Sequence, residues 1–230
     1  MSTLPTANGH ASALRSPLAA ALGGAEERTL GELAMVRTSL GRAIEAATTR
    51  DAAIAAEVSA QRVELDRRYG EVHDQLLALI ARQSPAARDL RLAMALLHVN
   101  DRTERMEAQC ANIATLCGVL PTAPAPGQLE CLATMGDLAA QQVSDAATVF
   151  AERDTDGVRR LRDRDAAINE HNRRCFERAV ADGGDEPRRE AAFLVAMMAR
   201  AIERIGDNAV DIGQQAAFVV TGRMRPPSGS

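Results

Sequence analysis

The chain is predicted to be all-α, two tandem three-helix bundles related by an internal duplication. Three observations point there. Ala, Leu, Arg and Glu dominate, aromatics are 2 % and there is no Trp, a composition of packed helices rather than sheets. Apolar residues recur at three- and four-residue steps, the spacing of one buried helix face. Landmarks also repeat: Asp51 returns as Asp154, an offset of 103, and Glu104-Arg105-Met106 returns as Glu203-Arg204-Ile205, an offset of 99. A duplicated three-helix unit that lost a few loop residues accounts for both offsets.

Residues 1–25 mix Pro, Gly, Ser and Ala without a steady period and read as a disordered tail. The first bundle is predicted over 26–118. Its first helix, from about Glu26 to Arg50, carries Leu30, Leu33, Val36, Leu40 and Ile44 on one stripe. Asp51 suits the N-cap of a second helix ending near Gln83, and Ser84-Pro85 marks the start of a third, from Ala86 to about Cys117. Pro121, Pro124 and Pro126 cannot continue a helix, so 119–127 reads as a linker. The second bundle, 128–222, repeats the pattern with helices at about 128–153, 155–181 and 187–220. Gly183-Gly184 separates the last two, Gly222 suits a helix C-terminus, and 223–230 reads as a frayed tail.

Composition narrows the function. The net charge of -4 argues against nucleic acid. No apolar run is long enough to cross a bilayer and the N-terminus lacks the pattern of a signal peptide, so the expected compartment is the cytoplasm. The four cysteines (Cys110, Cys117, Cys131, Cys175) form no C-x-x-C pair and read as buried free thiols. None of the four histidines follows an acidic residue by three positions, which excludes a ferritin-like di-iron site. No phosphate loop, zinc-finger spacing or nucleophile–base arrangement is present, so the chain is read as a non-enzyme.

The most informative stretch is Ala201 to Ile212. Ile202, Ile205, Ala209 and Ile212 form an apolar stripe, while Glu203, Asp207 and Asp211 stack at steps of four along one edge. Like charges at that spacing repel by roughly 0.2–0.5 kcal/mol per pair. Two readings follow. The edge can be a solvated face neutralised by Arg200 and Arg204, three residues before Glu203 and Asp207 respectively. It can also be a metal site, since hard cations take carboxylate oxygens from successive turns.

This helix, followed by Val219-Val220-Thr221-Gly222, resembles the signature of the PhoU family of bacterial phosphate-uptake regulators. The stretch Arg82 to Leu92 is similar to that family's junction between second and third helices, and the likeness covers about residues 28–222. It implies a PhoU-like pair of bundles, each with an acidic motif binding a metal ion or a multinuclear cluster of iron or zinc, manganese and magnesium being further options. In the second bundle the resemblance implies Glu203, Asp207 and Asp211 as ligands, with Asp165 and Asn169 helping from the fifth helix. The first bundle departs from the pattern. Asp101, Glu104 and Glu107 remain acidic, but the second carboxylate has moved by one position, about 100° around the helix. Arg62 stands where the family has Asp, with Asp66 a turn later. One competent site and one weakened or lost site are expected.

The resemblance further implies a regulatory adaptor between a phosphate ABC transporter and a sensor histidine kinase, repressing the phosphate-starvation response. Such an adaptor is expected to be a cytoplasmic homodimer that meets the membrane only through its partners. The alternatives are a metal-dependent enzyme handling phosphate or polyphosphate, and a divergent helical interaction module without metal.

Overall fold

The computed structural model describes residues 8–83, 85–181 and 184–223, with side chains from Pro17 onward. Six helices follow one another: α1 (Asn8–Thr49), α2 (Ala52–Gln83), α3 (Ala87–Gly118), α4 (Pro126–Glu152), α5 (Gly157–Ala181) and α6 (Glu186–Thr221). There is no strand among the described residues.

Within the first unit α1, α2 and α3 pack on one another, and α4, α5 and α6 do so in the second. The units then join side by side through α1 against α4 and α3 against α6. The core is therefore continuous across both. Ile44 of α1 lies so close to Gly136 of α4 that a Cβ there would meet its Cγ1 at 2.8 Å. Arg91 Nε donates to the carbonyl of Val219 at 3.2 Å.

The duplication is visible in the turns. Arg50 and Arg153 both adopt φ 57°, the left-handed conformation that costs a non-glycine residue energy. The aspartate that follows each turn organises the next helix. Asp51 Oδ1 accepts the amide hydrogens of Ala53 at 2.8 Å and Ile54 at 3.4 Å. Asp154 Oδ1 accepts those of Asp156 and Gly157, both at 3.0 Å.

Each unit has a seam where its first and third helices run parallel. On α1 the seam is Ala25, Thr29, Glu32, Val36, Ser39, Ala43 and Ala46, each at most 1 % exposed, at alternating steps of four and three. On α3 it is Leu96, Asn100, Thr103, Glu107, Cys110, Ala114 and Cys117. Ser39 Oγ donates to Glu107 Oε1 at 2.8 Å, and Cys117 Sγ to the carbonyl of Ala46 at 3.1 Å, so the two helices ascend together. Offsets of 103 and 99 carry these residues onto Gln128 to Val149 of α4 and Val195 to Ala216 of α6.

Four expectations differ from the structure. The linker read over 119–127 ends two residues early, because Pro126 takes the first position of α4 after the Ala125 N-cap. The tail read over residues 1–25 is helical from Asn8. Leu18, Leu22 and Ala25 are buried there, because their three- and four-residue steps extend the α1 stripe despite the Ala/Gly-rich composition. Residues 1–7 and 224–230 lie outside the described residues. The third helix starts later than Ser84-Pro85 suggests, with Ala86 extended at its N-cap and Ser84 outside the described residues. Finally, Cys131 and Cys175 are joined in a disulfide, leaving Cys110 and Cys117 as buried free thiols. Antiparallel packing of α4 on α5 brings the Cα atoms of that pair to 6.2 Å, within bridging range.

Candidate functional site

The acidic edge of α6 lies where α5 crosses it. Glu203 is the deepest of its carboxylates, only 9 % exposed, with Asp207 at the rim. Asp165 of α5 reaches the same place because Gly206 of α6 has no side chain. A Cβ on Gly206 would stand 3.0 Å from Asp165 Oδ1 and 3.1 Å from Ile168 Cδ1. Gln142 of α4 closes the back, its Nε2 donating to the carbonyl of Gly206 at 3.0 Å and to Asp165 Oδ1 at 3.3 Å. Asn169 donates through Nδ2 to Asp165 Oδ2 at 3.2 Å.

The electrostatics are those of crowded negative charge. Burial, more than any other cause, raises the affinity of Asp165, Glu203 and Asp207 for a proton. Mutual repulsion adds to it: Asp207 acts on Asp165 and on Glu203, and Asp165 on Glu203. Arg200 opposes the rise by pairing with Glu203. Asp211 is drawn the other way, onto α3, where Arg102 Nε lies 3.3 Å from its Oδ2 and also donates to His98 Nε2 at 3.2 Å. Of the residues expected in the second bundle, Glu203, Asp207, Asp165 and Asn169 are thus neighbours, while Asp211 belongs to the seam between units. Among the described residues no three His, Cys, Asp or Glu side chains are gathered tightly enough to hold one metal ion.

In the first unit the candidates do not converge. Glu104 is paired with Arg62, which also donates to the Glu104 carbonyl at 3.1 Å and holds Asp66 at 3.0 Å. Asp101 pairs with Arg105 at 3.2 Å. Glu107 leaves the edge altogether and is fully buried against Ser39, its carboxyl pushed up to about 7 by burial. Arg62 and Asp165 occupy corresponding positions, so a guanidinium stands in one unit where a carboxylate stands in the other. Gln142, which the acidic pattern does not reveal, corresponds to Ser39 across the 103-residue offset.

Against known families, the PhoU domain model matches the chain twice, over residues 32–117 and 132–216. The chain belongs to the PhoU domain family. The two matches fall one on each three-helix unit. PhoU relatives include a phosphate-specific transport system accessory protein PhoU homolog from Xylella fastidiosa, 27 % identical over 200 residues that span 86 % of this chain and 84 % of that one. The PhoU homolog 1 of Mycobacterium tuberculosis is 28 % identical over 196 residues, 84 % of this chain and 88 % of the relative. The crystal structure of PhoU from Pseudomonas aeruginosa shares the fold with a TM-score of 0.82 at 21 % identity, covering 89 % of this chain and 99 % of that one. That of the phosphate transport system regulatory protein PhoU from Streptococcus pneumoniae does so with 0.82 at 19 %, covering 91 % and 100 %.

Proposed function

We propose that this PhoU-domain protein regulates phosphate uptake as an adaptor between a phosphate ABC transporter and a sensor histidine kinase. The observation that carries this reading is the match of both units to the PhoU domain, together with near full-length similarity to proteins named as accessories of phosphate-specific transport. No helix among the described residues is long and apolar enough to cross a membrane, which suits a protein that meets the bilayer through partners. In this reading it works in the cytoplasm as a homodimer, by contact and without turnover.

A metal ion or cluster, of iron, zinc, manganese or magnesium, would be held in the second unit by Glu203, Asp207 and Asp165, with Asn169 beside them. The donors are all oxygens and suit a hard cation, but as they stand they are not gathered tightly enough to hold one, and Arg200 already pairs with Glu203. Coordination requires Glu203 to leave Arg200. In the first unit the residues do not fit a metal, because Arg62 already neutralises Glu104 and Asp66.

Deleting the gene in its host and following a phosphate-starvation reporter in phosphate-replete medium tests the regulatory reading. Derepression that is reversed by the wild-type chain supports it, and an unchanged reporter overturns it. Metal content of protein purified without chelators, beside a Glu203→Ala/Asp207→Ala variant, tests the cation separately.

A further inference from the structure

The chain has four Phe, one Tyr and no Trp. Two of the four Phe lie at the surface on one groove, between α5 and α6. Phe176 is 58 % exposed, Phe193 60 % and Met197 40 %. With Ala196 they floor a depression of about 390 Å³, and the charged residues that line it are Arg173 on the α5 wall and Arg200 on the α6 wall.

The duplication supplies an internal control. The corresponding positions in the first unit are His73, Met94 and His98 for Phe176, Phe193 and Met197, with Gly70 and Asp101 for Arg173 and Arg200. The same helix pair is therefore packed with histidines in place of Phe176 and Met197 and without Arg173 and Arg200, Met94 alone keeping exposed apolar surface at 49 %. Packing of the fold does not explain the groove, and exposed apolar patches that packing does not require mark contacts.

We infer that the α5–α6 groove docks an amphipathic helix of a partner protein, one that carries apolar anchors with acidic residues beside them. A channel between two antiparallel helices takes anchors at i, i+3 or i+4 and i+7. The walls select the flanking charge. Arg173 and Arg200 each pair within the chain, with Glu170 and Glu203, but both guanidinium side chains are more than half exposed. The Arg173–Glu170 pair is exposed on both sides and exchanges readily for an incoming carboxylate. Arg200, by contrast, keeps the buried Glu203 and offers its remaining N–H donors to the partner. A second copy is a poor occupant, because face-to-face apposition would set the two arginine walls against each other. The inference deepens the adaptor reading and rests on it only for expecting a protein partner.

The test is selection from a random helical peptide library displayed on phage, using the full chain as bait and a Phe176→Asp/Phe193→Asp variant for counter-selection. Both positions are exposed, so the variant should keep the wild-type thermal melt. Enriched peptides should carry the apolar spacing with flanking Asp or Glu. A synthetic peptide of the enriched sequence should bind about 30-fold more weakly to Phe193→Ala, the loss of one anchor, and more weakly still to Arg173→Glu/Arg200→Glu. Matching His73→Ala/Met94→Ala changes in the first unit should leave binding unaltered. No enrichment over the counter-selected variant overturns the inference, as does enrichment of basic or neutral peptides. Two further results also overturn it: a dimer that dissociates in Phe193→Asp, or Phe193-dependent sedimentation with phosphatidylglycerol vesicles. Acidic peptides that bind while the starvation reporter ignores deletion of the gene would separate the groove, which stands, from the phosphate reading, which falls.

Discussion

The two seams share a backbone and differ in chemistry. In the first unit the α1–α3 seam buries Thr29, Glu32, Ser39, Asn100, Thr103 and Glu107. In the second, the same positions hold Leu132, Met135, Gln142, Ala199, Ile202 and Gly206. Where size is exchanged, it is exchanged in pairs. Ser39 opposite Glu107 becomes Gln142 opposite Gly206, and in both units the α1 or α4 side chain donates to α3 or α6. Leu161 lies against Gly213, where a Cβ would meet its Cδ1 at 2.3 Å, and the corresponding positions of the first unit hold the smaller Val58 and the larger Ala114, both buried. The volume of a contact is thus held more firmly than its polarity, as close-packed interiors require.

Gly213 is where this conservation of volume has the largest effect. Gly213→Val should cost about 3 kcal/mol by overpacking against Leu161, read as a fall in denaturation midpoint. Adding Leu161→Ala restores the summed volume, so the double variant should lie closer to wild type than either single change. Equal, additive losses would show that the pair does not share one space.

Next in size is Glu32, which is 1 % exposed with both carboxylate oxygens unpartnered. Burial pushes its carboxyl from 4.5 up to about 7, against the opposing influence of Arg68 and Arg28 and with slight support from Glu71. The folded state therefore binds the proton more tightly than the unfolded chain. Glu32 stabilises relative to its ionised form below about 4.5, and that advantage is lost as pH rises from 4.5 to about 7. Glu32→Met, which copies Met135, should raise stability at pH 8 by about 1–3 kcal/mol and flatten the decline of the melting temperature across that interval. An unchanged pH profile would show that Glu32 is not the group that titrates.

The smallest effects should be equal in the two units. Asp51→Ala and Asp154→Ala each remove one carboxylate oxygen that accepts two amide hydrogens at a helix start and should each cost about 1 kcal/mol. A larger loss at Asp154 that disappears in an Arg160→Ala background would trace the inequality to the Arg160–Asp154 pair, 2.7 Å long, and one that persists would mean that the second turn carries strain the first does not.

The all-helical duplication was legible because it is written in local terms: Asp51 and Asp154, Glu104 and Glu203, and the apolar steps between them. So was the company of Glu203 and Asp207, one turn apart on a single helix. What depends on a neighbouring helix was not. Glu107 looks like the next acidic residue on an exposed edge, yet the register of α3 turns it inward onto Ser39. Asp211 continues the α6 edge by spacing, but Arg102 on α3 takes it. Cys131 and Cys175 share no motif, and only the pairing of α4 with α5 brings them together. Residues 17–25 hide a buried stripe behind a composition typical of tails.

The position of α1 bears on how the protein is made. This helix leaves the ribosome before the other five, and its α2 and α3 partners follow soon after. Ile44, however, meets Gly136, and Glu26 meets Arg153 at 2.7 Å, so part of α1 finds its cover only once α4 and the turn beyond it have been synthesised. A nascent chain paused in the Pro-rich linker would display an assembled three-helix unit with one apolar side still naked, the state in which newly made chains are most prone to aggregate and most in need of a chaperone.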